Sequence, residues 1–168
     1  GIAPINWTND DMPELGGDIS FEQCISEMAL AGYKGCEVGT KYPVNNRALL
    51  KEKLELRGIT ICNQWFSYEF STKTFEQVKN NFINQIDFLN FFGAKVIGGA
   101  EAGNSIHGQY NIPLVSRKPG SNENWKKLTQ GLNELGKISL NEYGIKLSYH
   151  HHMGTMVETM LEVDRLLN

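Results

Sequence analysis

Four times along this chain an amphipathic helical stretch runs into a glycine and is followed at once by a short β-rich run. That repeat limits the fold more than any other feature. The first period carries Cys24, Ile25, Met28 and Ala29 at helical spacing, stops at Gly32 and leads into Cys36-Glu37-Val38-Gly39. Its start reads as a capping box, Ser20 with Gln23 three residues on. The second has Leu49, Leu50, Leu54 and Leu56 ahead of Gly58, then Ile59-Thr60-Ile61-Cys62 as a strand running toward Trp65-Phe66. The third carries Phe75, Val78, Phe82, Ile83, Ile86 and Leu89, ends at Gly93 and precedes an apolar run over 94–100. The fourth places Trp125, Leu128, Leu132, Leu135 and Ile138 before Gly144 and a strand over 145–150. Glycine at each exit makes physical sense, because helices often leave through a left-handed residue, which glycine adopts without a Cβ clash.

With residues 2–5 read as a first strand, the chain has five strands, four complete helices and part of a fifth. Strict alternation of this kind implies parallel strands joined by right-handed crossovers. Two α/β folds compete, the open doubly wound sheet and the closed barrel. A doubly wound nucleotide binder carries a glycine-rich phosphate turn after its first strand. Here that place reads Asn6-Trp7-Thr8-Asn9-Asp10-Asp11, and neither GxGxxG nor GxxxxGK[ST] occurs. The expectation is therefore α/β, the first five β/α units of a (β/α)8 TIM barrel. Such barrels take ~250 residues, with a lower end near ~200, so 168 residues make an arc and not a closed cylinder. Residues 1–168 are accordingly expected to form a single partial barrel domain, strands one to five of eight, as a fragment. The ends agree with this: the chain starts at Gly1, and 164–168 continue a helical pattern. Open strand edges invite association, so a homo-oligomer is a further expectation.

Charge and composition exclude other classes. The formal net charge is -3, without the basic excess of nucleic-acid binders. No apolar run approaches the ~20 residues of a membrane span. Cys24, Cys36 and Cys62 are too few and scattered for a disulfide framework, which suits free thiols in a cytoplasmic protein.

Ligands of parallel α/β folds bind at the carboxyl ends of the strands. The five expected ends present Trp7, then Glu37 with Lys41, then Trp65, then Glu101 with His107, and last His150, His151 and His152. Amides, charges and indole faces suit a sugar or polyol. Glu37 interrupts an apolar run, and Glu101 follows one; an unpaired buried carboxylate is costly, so each is either paired or in the pocket. Trp7 and Trp65 are pocket walls or core caps, and Lys41 and His107 are pocket groups or solvated loop residues. The histidine run is sharper. In an extended segment His150 and His152 share a face while His151 points away. Two imidazoles on one face can reach a metal, a substrate, or one of each.

These residues resemble a known family. The opening run from Gly1 to Gly17, then Gly35-Cys36-Glu37-Val38-Gly39, Ala94-Lys95-Val96-Ile97 and Tyr149-His150-His151-His152-Met153-Gly154-Thr155, look like inosose dehydratase, of the xylose-isomerase-like TIM barrels. The resemblance implies dehydration of a cyclic polyol ketone, inosose, with a divalent metal, Mn or Co. Related barrels hold their metal with residues from strands five to eight, usually a Glu on strand five. Here His150 or His152 stands in that place, with His150 favoured as the ligand. His152 or Glu101 would then move the proton, with His150 on the metal. Trp7, Glu37, Lys41, Trp65 and His107 would bind substrate. Three rivals remain: an isomerase or epimerase on the same barrel, a carbohydrate-binding module, and a non-catalytic partial barrel.

Overall fold

The helix exits follow the glycine rule at every period. In the computed structural model, which describes residues Gly1–Asn168, Gly32, Gly58, Gly93 and Gly144 all have positive φ. The helices they follow are α1 (Phe21–Leu30), α2 (Arg47–Glu55), α3 (Phe75–Phe91) and α4 (Asn122–Tyr143), and α5 (Met160–Leu167) comes last. The strands are β1 (Gly35–Val38), β2 (Thr60–Tyr68), β3 (Val96–Glu101) and β4 (Lys146–Tyr149). They follow one another in the sheet as β1-β2-β3-β4. β1 is parallel to β2, with a register shift between Cys36 and Glu37, and β3 is parallel to β4.

The expected first strand is not formed. Ile2 makes a single parallel bridge to Cys36, donating from its N–H to Gly35 O and accepting from Glu37 N–H, each at 3.0 Å. Pro4 then ends the pairing, because it has no N–H to give a ladder. The chain instead turns through a 3-10 segment, Pro4–Asn6, and the amides of Trp7 and Thr8 donate back to Pro4 O. Four strands stand where five were expected. The capping box at Ser20 is half formed. Ser20 Oγ accepts the Gln23 amide, but the Gln23 side chain donates to Glu27. Complete boxes occur at Ser121/Asn124 and Thr159/Glu162.

The residues group into two compact units, the first 1–65 with 88–95, the second 66–87 with 96–168. The first has Cys24, Ile25 and Met28 of α1, Cys36 and Ile61 of the strands, and Leu50 and Leu54 of α2 as buried core. Burial pushes the thiols of Cys24 up to about 11 and Cys36 up to about 12, so both behave as apolar packing. In the second, α3 and α4 bury Val78, Phe82, Leu128 and Leu135, and Phe66, Tyr68 and Tyr149 form an aromatic chain with ring centroids 5.0 and 6.2 Å apart. Apolar side chains are exposed around the last helix: α5 has no buried residue, and Met160 and Leu161 are each 80% exposed. No helix is long and apolar enough to cross a membrane.

Gly144 isolates the backbone contribution at a helix exit. Its amide donates to Leu140 O and the Ile145 amide to Ser139 O, closing α4 with φ +65°, and no atom lies within 4 Å of where a Cβ would be. Gly144→Ala is therefore expected to cost about 1–2 kcal/mol through left-handed strain alone. Denaturant unfolding checks this, and an unchanged midpoint would contradict it.

Candidate functional site

In the first unit, the candidate residues meet their own backbone or one another. Glu37 lies on β1, half-buried, and accepts a hydrogen bond at 2.7 Å from Asn63 Nδ2, its register partner on β2. The Trp7 indole N–H donates to Glu27 of α1 at 2.7 Å. With Gln23, that bond holds the exposed Glu27 carboxyl below its ordinary value. The Lys41 ammonium donates to three carbonyls, Gly16, Gly17 and Ile19, at 2.6–3.0 Å. It clasps the loop that precedes α1. Asp10 closes the same region by accepting from the Thr40 hydroxyl and amide. Trp65 sits half-buried on β2.

In the second unit, Glu101 ends β3 and is 1% exposed. Both its oxygens are engaged. Oε2 accepts the Phe70 amide, and Oε1 accepts the Ser71 amide and hydroxyl and the Gly103 amide. Burial raises its pKa; the hydrogen bonds from Ser71, Gly103 and Phe70 oppose that only in part. Glu101 therefore straps the turn after β2 to the end of β3.

The histidines come together. His150 follows β4 directly, and its amide donates to Gly99 O on β3 at 2.8 Å. The rings of His150 and His152 have centroids 5.6 Å apart, and His152 meets His107 edge-on at 4.4 Å. His107 comes from the long β3–α4 connection. That loop is held to the turn after β4, because Ile106 N–H and Ser105 Oγ both donate to Gly154 O. His152 Nδ1 lies 3.0 Å from Met153 O. No three His, Cys, Asp or Glu side chains are grouped so as to hold a metal ion.

One residue of this region was missed from the sequence. Arg117, 11% exposed, pairs with Glu158 at 3.1 Å and Glu162 at 2.9 Å. A usable signal was present: residues 102–116 hold no Asp, Glu, Lys or Arg, and two acids four apart open the last helix.

No family model matches the chain. The chain is 55% identical over 168 residues to the inosose dehydratase of Geobacillus thermodenitrificans, matching 99% of its own length. It spans 56% of that relative's length. Among solved structures it is similar to a xylose isomerase-like TIM barrel protein from Mycobacterium smegmatis in complex with magnesium, with a TM-score of 0.70 and 14% identity over 99% of this chain and 59% of that one. It is also similar to the IolI protein with a bound zinc atom, with a TM-score of 0.66 and 16% identity over 89% of this chain and 53% of that one. The similarity to inosose dehydratases therefore runs along the whole chain, and the fold is α/β, like that of part of a TIM barrel.

Two outcomes follow from the carboxylates. Glu101→Gln sets an NH2 group against at least one of four donors, so it is expected to cost about 1–3 kcal/mol in denaturant unfolding; a neutral change would show that the strap is not needed. For Glu162, partial burial raises the pKa, but hydrogen bonds from Thr159, Glu158 and Arg117 outweigh it and hold the carboxyl below its ordinary value. A depressed native pKa stabilises above the unfolded value, about 4.3, and is lost as pH falls through the native value. Exchange protection at the start of α5 is expected to fall in that acid window, and less so in Glu162→Gln.

Proposed function

We propose that the protein of which these residues form part is a metal-dependent inosose dehydratase that removes water from 2-keto-myo-inositol. The observation that carries this reading is the 55% identity to a curated inosose dehydratase across 99% of the chain. The gathering of His107, His150 and His152 at the end of β4 supports it. Mn or Co is the proposed metal, with His150 among its ligands and the cytoplasm as the compartment. Magnesium and zinc in the two solved neighbours support a divalent ion of some kind.

Dehydration beside a ketone requires loss of the α proton, stabilisation of the charge that forms on oxygen, and departure of the β hydroxyl with a proton. The metal, when bound, supplies Lewis-acid stabilisation of that charge. His152 is assigned the proton transfer, since an imidazole suits both removal and delivery of a proton. Glu101 is the weaker candidate for that role, because four donors already occupy its carboxylate. Glu37, Trp65 and His107 are assigned to substrate hydroxyls and ring faces. Trp7 and Lys41 are assigned to substrate as well; Lys41 also holds the loop that precedes α1.

The test is turnover by the whole protein. With inosose and Mn or Co it should build the absorbance of a conjugated dione. His150→Ala should lose metal-dependent turnover, and His152→Ala should lose about 100- to 10,000-fold in kcat. An isomerised product without the chromophore would replace this reading with an isomerase or epimerase. Full activity of His150→Ala with metal still bound would overturn the ligand assignment.

A further inference from the structure

Most ion pairs in the chain are local and exposed. Lys51–Glu55 and Lys127–Glu123 join neighbouring turns of one helix with side chains at least half exposed, and such pairs contribute little. Arg117 differs in burial and in reach. It stands after the 3-10 turn Leu114–Ser116 and bonds three separate acceptors beyond β4: Glu158 Oε2, Glu162 Oε1 and Thr155 O at 3.1 Å. A planar guanidinium can serve several acceptors at fixed angles; an ammonium cannot.

Two of the three acceptors lead to an imidazole. The Thr155 amide and hydroxyl both donate to His152 O, at 3.2 and 2.7 Å, while the His152 amide donates to Val157 O. Both backbone polar groups of His152 are thus fixed inside the turn that Arg117 grips. Glu158 Oε2 also accepts the Gly154 amide at 2.6 Å. Gly154 O in turn accepts from Ile106 and Ser105, and Ser105 Oγ accepts the His107 amide. The fit is close: a Cβ on Gly154, whose φ is +72°, would lie 2.9 Å from His107 N. Residues 154–157 are all buried, so the turn has little room to reset.

We propose that Arg117 is the positioning residue of the imidazole cluster, holding the turn over 152–158 so that His152 stands against His107 and beside His150. The chemistry it serves rests on the dehydratase reading; the geometry does not.

The test uses Arg117→Met and Arg117→Lys in the whole protein at saturating metal. The Met variant should lose about 100-fold in kcat, the scale of a small misplacement of a reacting group, while KM stays within about threefold. Guanidinium ion should restore much of the loss, and Lys only part of it. The His107–His152 ring contact, read by NMR on histidine-labelled protein, should vanish in Arg117→Met and return with guanidinium. Wild-type protein that makes no dione yet keeps the ring contact would count against the dehydratase reading alone. Arg117→Met that keeps the contact, or that loses only thermal stability with kcat per folded molecule unchanged, would overturn the positioning role. Should Arg117→Met not fold, Glu158→Gln removes one arm of the grip and is read by the same two measures.

Discussion

A charged group taken out of water has to be satisfied by whatever lies within reach. In this chain the loops at the strand ends are what lies within reach. Glu101 gathers the amides of Phe70, Ser71 and Gly103. Lys41 stays exposed, yet it too gathers backbone, the carbonyls of Gly16, Gly17 and Ile19. Arg117 gathers Thr155 O and two carboxylates. In each case a long side chain fixes a stretch of irregular backbone that has no ladder of its own. Loops with that support can carry chemistry on a fixed geometry, where unsupported loops would be mobile.

Much of the fold was legible because it depends on local rules. The four glycine exits, the buried faces of α1 to α4 and the strands that follow them all come from periodicity and backbone sterics. The failure at the first strand was local too. Pro4 was visible in the sequence, but the apolar look of residues 2–5 outweighed its missing N–H. At Ser20 the cap was right, and its partner was lost to Glu27, one turn further on and equally able to accept from Gln23.

The site was legible in its residues and less so in their partners. Alternation along an extended segment put His150 and His152 on one face with His151 turned away, but the His150 ring lies 5.6 Å from that of His152 and 6.2 Å from that of His151, so the separation is only partial. It could not show that His107, 45 positions before His152, would meet His152 edge-on, since that contact depends on how the β3–α4 connection is tied down. Nor could it show that Lys41 and Glu101 spend their charges mostly on backbone, because all of their partners but Gly103 lie 22 to 31 residues away. Residue type announced that something charged stood at the strand ends. Long-range contacts decided what each charge holds.

Under the proposed function, the imidazoles at the end of β4 are assigned the metal and the proton, while buried charges hold the backbone that carries them. The proposed function depends most on His150 as a metal ligand. An anomalous difference map of the whole protein, crystallised with Mn or Co and collected at the metal edge, tests this most directly. A peak within coordination distance of an imidazole nitrogen of His150 is expected. A fully occupied peak coordinated by other residues, with His150 turned away, would contradict it.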